Sequence, residues 1–187
     1  MQCAGVHPGG PGVTDDVRQE LIGLLPRLRR FAYTLAGDPH RGDDLVQEAC
    51  TRAIRHLDQY QPGTRLDSWM YKIVRNVWLN EERALRGRGI PVDLDGAPEL
   101  IGADGREVVE SRLTLDQVLK ALAMLPRDQR ELIALVCIEG LSYQEAAAIL
   151  DIPLGTATSR LARGRRTLYA LAVEGHEAWE DKHDRVV

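Results

Sequence analysis

The chain has 187 residues, carries 24 Lys and Arg against 28 Asp and Glu for a formal charge of −4, and is 44% hydrophobic. This length admits one or two globular domains, and no apolar run approaches the ~18–20 residues that span a bilayer. The N-terminus lacks the basic stretch and apolar core of a secretory signal. Three widely spaced cysteines, Cys3, Cys50 and Cys137, form no disulfide framework and suit a reducing cytosol.

Residues 1–13 contain four Gly and two Pro and are expected to be a disordered tail. A helical unit is expected over 14–86. Leu21, Leu24, Leu25, Leu28, Phe31, Ala32 and Leu35 recur at three and four, forming one apolar stripe. Gly37 reads as a stop, and Asp38-Pro39 as a new start with Pro at the first position. The next stripe is Leu45, Val46, Ala49, Ala53, Ile54 and Leu57, followed by a turn at Gln61-Pro62-Gly63. A third amphipathic helix runs from about Leu66 to Leu85.

Residues 87–111 hold five Gly, two Pro, six acids and two Arg, the composition of an acidic linker. A second helical unit is expected over 112–172. Leu115, Val118, Leu119, Leu122 and Leu125 form its first stripe, and Leu132, Ile133, Leu135 and Val136 its second, stopped near Gly140. Ser142-Tyr143-Gln144-Glu145 fits a capping box. A turn near Asp151–Pro153 leads to a last helix ending near Ala172, and 173–187 is expected to be an acidic tail. No period-two strand appears. The fold class is all-α, with two small helical domains on a flexible linker.

Three constellations carry function. In the last helix, Leu154, Ala157, Leu161, Gly164 and Leu168 share one face. Gly155, Ser159, Ala162, Arg163 and Arg166 lie opposite, flanked by Arg160 and Arg165. A capped helix, a tight turn and a two-sided helix form the helix-turn-helix plan, whose second helix enters the major groove. Small residues between arginines admit base edges, and Arg bridges guanine or holds phosphate. A solvated basic face would carry the same charges; the cap, turn and wheel together favour DNA.

On the helix starting near Ser68, Tyr71, Arg75, Trp78 and Glu82 fall on one side with Lys72 beside them. Arg plus aromatics on an exposed face suits unpaired bases, which stack on rings while cations hold the backbone. The alternative is that Trp78 fills an interdomain gap and Tyr71 is merely amphipathic. The third constellation is Asp43-Asp44-Leu45-Val46-Gln47-Glu48, where Asp44 and Glu48 lie one turn apart on one face. It reads as a protein-binding patch or a solvated face; a metal site would need a distant His. Cys3-x3-His7 lacks a second ligand pair, His176 and His183 lack a nearby thiol, and Cys50 and Cys137 read as small core residues. Gly9-Gly10-Pro11-Gly12 follows no strand, so it is no phosphate loop. No cofactor, catalytic or metal site is expected.

In this arrangement the chain resembles a bacterial RNA polymerase sigma factor of the sigma-70 family, extracytoplasmic-function (ECF) subfamily. Asp43 to Ala49 resembles the core-polymerase-binding motif, and Pro62 to Asn76 the promoter −10 segment of a region 2-like domain. Leu125 to Arg130, Leu141 to Ala147 and Gly155 to Arg165 resemble the −35-binding domain of region 4. Leu57 to Thr64 is similar to the group tied to the general stress response.

The resemblance implies roles. Asp43, Asp44, Gln47 and Glu48 would face a basic helical hairpin of core RNA polymerase. Tyr60, Arg65, Asp67 and Ser68, with Tyr71, Lys72, Arg75 and Asn76, would melt the −10 element and hold an extruded base. Thr156, Thr158, Ser159, Arg160, Arg163 and Arg166 would contact the −35 duplex. Thr158 stands where relatives often have Lys or Arg, which changes the −35 contact set. The protein would be a non-enzymatic, cytoplasmic initiation factor, nucleoid-associated when active, with core RNA polymerase, promoter DNA and an anti-sigma factor as partners. Two rivals are a free-standing helix-turn-helix regulator and a carboxylate metalloenzyme using Asp44 and Glu48.

Overall fold

The computed structural model describes the backbone of residues 11–61, 63–87 and 115–183, and the side chains of 16–61, 63–87 and 118–172. Among the described residues every regular element is helical. α1 (Pro11–Ala36) begins inside the expected N-terminal tail, with Pro11 at a first position that its fixed φ suits. Residues 1–10 and the linker span 88–111 lie outside the described residues.

The punctuation of the first half follows its residues. Gly37 takes φ +68, and its N–H donates to the Tyr33 carbonyl at 2.9 Å, closing α1. Asp38 caps α2 (Pro39–Arg55) by accepting from the Arg41 N–H at 2.8 Å. A 3₁₀ turn (Leu57–Gln59) and Gly63, at φ +87, lead into α3 (Leu66–Gly87). Leu28, Phe31, Ala32 and Leu35 of α1 meet Leu45, Val46 and Ala49 of α2 and Met70, Val74 and Val77 of α3 in one buried cluster. Ile54, expected in the α2 stripe, is exposed.

Gly42 sets the approach of α2 to α1. A methyl group there would overlap the ring of Tyr33 and lie 3.1 Å from its Cα. The Tyr33 hydroxyl donates to Asp43 at 2.8 Å, so the ring is held where it is.

In the second half, α4 (Leu115–Met124) and α5 (Arg127–Leu132) precede a π-helical segment (Ile133–Ile138). Its last turn is closed by the Glu139 N–H donating five residues back to the Ala134 carbonyl at 3.0 Å. Gly140 at φ +73 ends the run. Ser142 and Glu145 form the expected capping box of α6 (Tyr143–Leu150). Asp151 turns the chain in the left-handed region, at φ 56, into α7 (Leu154–His183). α7 passes the expected stop at Ala172 and runs through most of the expected acidic tail, since no proline interrupts the stretch. Gly164 lets α7 sit on α5 and the π segment: a Cβ there would be 3.1 Å from Gln129 Cβ and 3.3 Å from Ile133 Cγ1.

The two helical modules dock. Their apolar residues form one continuous core, with α1 against α4, α5 and the π segment, and α3 against α6. Consecutive Ile133, Ala134 and Leu135 are all buried because helices from both modules surround that segment.

Gly42→Ala is expected to lower the unfolding free energy by about 1–2 kcal/mol, overpacking outweighing the gain in helix propensity. Chemical denaturation of the two proteins measures the difference.

Candidate nucleic-acid interface

The acidic patch on α2 is built as its spacing implies. Leu45, Val46 and Ala49 are buried, which turns Asp44 and Gln47 outward. Asp43 and Glu48 are half-buried and engaged within the module. Asp43 accepts from Tyr33 and pairs with Arg29 at 3.4 Å, and Glu48 pairs with Arg52 at 2.6 Å. Among the described residues no group of three His, Cys, Asp or Glu comes together as a metal cluster.

The recognition face of α7 has the expected polarity. Ala157, Leu161 and Gly164 are buried, and Ser159, Arg163 and Arg166 are exposed. Leu154, expected inward, is exposed because it opens the helix beyond the edge of the core. Arg163 and Arg166 have no ion pair among the described residues. Arg160 is held at 3.1 Å by Asp128 of α5. The Thr158 hydroxyl donates back to the Leu154 carbonyl at 3.0 Å and the Ser159 hydroxyl to Thr156 at 3.0 Å. Thr156 is half-buried.

The face of α3 departs from the expectation of an exposed aromatic and basic surface. Tyr71 and Trp78 are buried, and so are Asp67 and Glu82. The docked second module covers Tyr71 and Trp78, whereas Asp67 and Glu82 pair with Arg65 and Arg41 of their own module. The Tyr71 hydroxyl donates to Glu139 Oε2 at 2.7 Å, and its ring meets Phe31 edge-on at 5.0 Å. Arg75 donates to Glu131 at 3.2 Å. The Arg127 guanidinium lies 5.8 Å from the centre of the Trp78 ring. Trp78 therefore fills an interdomain gap, and its buried Nε1 has no hydrogen-bond partner. Lys72 and Asn76 remain exposed, and Ser68 is half-buried. The Tyr60 ring packs on Trp69 at 5.4 Å, and its hydroxyl donates to the Thr64 carbonyl at 2.7 Å, bracing the loop before α3.

Asp67 is the hub of that loop. It accepts from Arg65 at 2.6 Å, from the Ser68 N–H at 2.6 Å and from Arg27 at 3.4 Å. Burial pushes its carboxyl up, but these donors outweigh burial and hold it below the usual range. Glu131 shifts the other way: burial raises it, and Arg75 only partly offsets that. Burial, then the bond to Glu139, raises the Tyr71 phenol well above its ordinary value.

The cysteines correct one expectation. Cys137 is exposed rather than in the core, 3.6 Å from Arg165, because the π segment turns it out of the seam. Cys50 is half-buried, and burial pushes its thiol up. Cys3, His7, and the side chains of His176 and His183 lie outside the described residues. The residues that sequence reasoning missed are Glu131 and Glu139: acids next to apolar stripes, with nothing local to mark them as buried partners.

Comparison with known proteins follows the same division. The sequence matches the family model described as Sigma-70 region 2 over residues 23–88, and that described as Sigma-70, region 4 over 115–168. It is 39% identical over 166 residues to the ECF RNA polymerase sigma factor EcfG of Rhodopseudomonas palustris, covering 88% of this chain and 90% of that one. It is 39% identical over 171 residues to the ECF RNA polymerase sigma factor SigE of Mycolicibacterium smegmatis, covering 90% of this chain and 64% of that one. Among solved structures it is similar to the sigma factor RpoE of Bartonella quintana in complex with the anti-sigma factor NepR. That match has TM-score 0.68 and 35% identity, covering 84% of this chain and 96% of that one.

The folded-state carboxyl of Asp67 lies below its unfolded value, so its contribution to stability is present above the ordinary carboxylate range and is lost on acidification. Asp67→Asn is expected to melt lower than the parent at neutral pH, with the gap closing as pH falls through and below the ordinary carboxylate range. Thermal melts of both proteins across that range measure it.

Proposed function

Because the chain belongs to the ECF family of RNA polymerase sigma factors, we propose that its three faces divide the work of promoter-directed initiation. The acidic face of α2, with Asp43, Asp44, Gln47 and Glu48, binds a basic surface of core RNA polymerase. The loop from Tyr60 to Ser68, with Tyr71, Lys72, Arg75 and Asn76, holds the −10 strand once it is unpaired. Unstacking costs a few kcal/mol per base, and ring stacking and phosphate contacts offset it. Thr156, Thr158, Ser159, Arg160, Arg163 and Arg166 read the −35 duplex in the major groove.

The observation that carries this reading is the ordered pair of sigma-70 regions with Arg163 and Arg166 exposed on the outer side of α7 and in no ion pair among the described residues. A free-standing helix-turn-helix regulator would not need the first region, nor an acidic face on a separate module. The protein performs no chemistry itself; it aims an enzyme that does. It works in the cytoplasm, at the nucleoid when active. Among the described residues no helix is long and apolar enough to cross a membrane. RpoE of Bartonella quintana is seen with an anti-sigma factor, and this chain takes an inhibitor of the same kind.

Run-off transcription with purified core polymerase tests the proposal. The parent chain is expected to direct initiation at defined promoters that core alone ignores. Arg163→Ala is expected to weaken −35-dependent initiation by roughly 5- to 150-fold, the value of about 1–3 kcal/mol for a good base contact. Unchanged promoter choice and strength would contradict the α7 assignment. Glu48→Lys is expected to weaken core binding while changing stability by only about 0.3–0.5 kcal/mol through its half-buried i,i+4 pair with Arg52. Undiminished core binding in a pull-down would remove the α2 assignment.

A further inference from the structure

We infer that Asp128 of α5 is a positioning residue for −35 recognition: its carboxylate fixes the Arg160 guanidinium so that the two Nη groups read a guanine edge in the major groove. The inference rests on the −35 assignment of α7 above. It adds a residue outside the recognition helix that decides what Arg160 reads.

Packing delivers the pair. Gly164 brings α7 so near α5 that an added Cβ would lie 3.1 Å from Gln129 Cβ. Arg160 lies one turn before Gly164, and Asp128 precedes Gln129, so the same close approach sets the acid against the guanidinium. Asp128 Oδ2 lies 3.1 Å from Arg160 Nε. Buried Ala157 and Leu161 hold the backbone around Arg160. On the other helix, the Pro126 carbonyl accepts from the Gln129 and Arg130 N–H groups at 3.0 and 2.9 Å, which fixes the turn that carries Asp128. The neighbouring Arg127 is turned away, to the Trp78 ring and to Glu131 at 4.0 Å.

The chemistry follows from which nitrogen is taken. A guanidinium is planar, and its donors form a fixed fork. With Nε held by a carboxylate, Nη1 and Nη2 remain as an end-on fork that matches O6 and N7 of guanine. A guanidinium without such a tether is free to swing to the nearest phosphate, a contact that carries no sequence information. Arg163 and Arg166, in no ion pair among the described residues, keep that freedom, whereas Arg160 does not. Stability does not account for the arrangement. The Arg160 and Asp128 side chains keep 33% and 39% exposure, and a pair so open to water adds little to folding. An acid at the edge of a DNA-facing helix repels phosphate, so it lowers non-specific affinity while sharpening a base contact.

Promoter selection tests this. Holoenzyme reconstituted from core polymerase and the full chain selects a promoter from a pool of random-sequence duplexes. Each −35 base pair of that promoter is then changed in turn, and competition binding reads the preference at each position. Arg160→Ala is expected to lower the preference for G·C at one −35 base pair by about 5- to 150-fold. Asp128→Asn is expected to lower it at that same base pair by about fivefold or more, with the other positions as in the parent. In an Arg160→Ala background, Asp128→Asn is expected to cause no further change there, because the acid acts through the arginine. Four results overturn the inference: an Arg160→Ala variant with every G·C preference intact, an Asp128→Asn variant with every parental preference, an even loss at all positions, or an effect that persists beside Arg160→Ala. Circular dichroism checks helix content, and should the Asn variant unfold, Asp128→Ser takes its place under the same criteria. A parent that selects no promoter removes the −35 assignment and the inference together. A parent that selects one, with Asp128→Asn indistinguishable from it, removes the inference alone.

Discussion

The structure turns on a carboxylate with no exposed side-chain surface, Glu139, wedged between two helical modules. An acid in such a place is costly unless donors surround it, and breaking such a set by removing one partner costs about 3–5 kcal/mol. Arg27, Arg30 and Tyr71 supply those donors, all from the N-terminal module. The π-helical segment delivers the acid. Its wider turn keeps Ile133, Ala134 and Leu135 in the core and ends with Glu139 facing α1 and α3. Arg130 reinforces the closure from the other side, donating at 3.0 Å to the Leu35 carbonyl at the end of α1.

Tyr71 and, on the same side of α3, Arg75 are thereby engaged with carboxylates of the C-terminal module. The apolar part of the seam gives the closed form its register. The charged part ties Glu131 and Glu139 to arginines and a tyrosine of the other module. The acidic face of α2 and the outer face of α7 stand outside the seam.

Much of this was legible locally. Asp38-Pro39, Gly37, Gly140 and the Ser142–Glu145 box mark helix ends because caps and left-handed turns depend on a few neighbouring residues. Burial of Leu45, Val46 and Ala49 follows from period alone, as does the two-sided face of α7. What sequence could not convey is the partner of an amphipathic face. Tyr71, Arg75 and Trp78 line one side of α3 whether that side meets solvent, DNA or another module, so periodicity cannot tell a stacking platform from an interdomain seam. Glu131 and Glu139 were invisible for the same reason: their partners lie 56 to 112 residues away. Cys137 misled because a regular helix would have kept it inward, and the change to π geometry has no local signature here.

A double-mutant cycle across the seam tests the central claim most directly. Unfolding free energies of the parent, Tyr71→Phe, Glu139→Gln and the double variant give the energy with which the two side chains interact. A docked pair predicts a favourable coupling of about 1.5–3 kcal/mol, as for a hydrogen bond to a charged group. A coupling within about 0.3–0.5 kcal/mol of zero, the additivity of independent sites, would mean that the modules do not close on one another through Glu139.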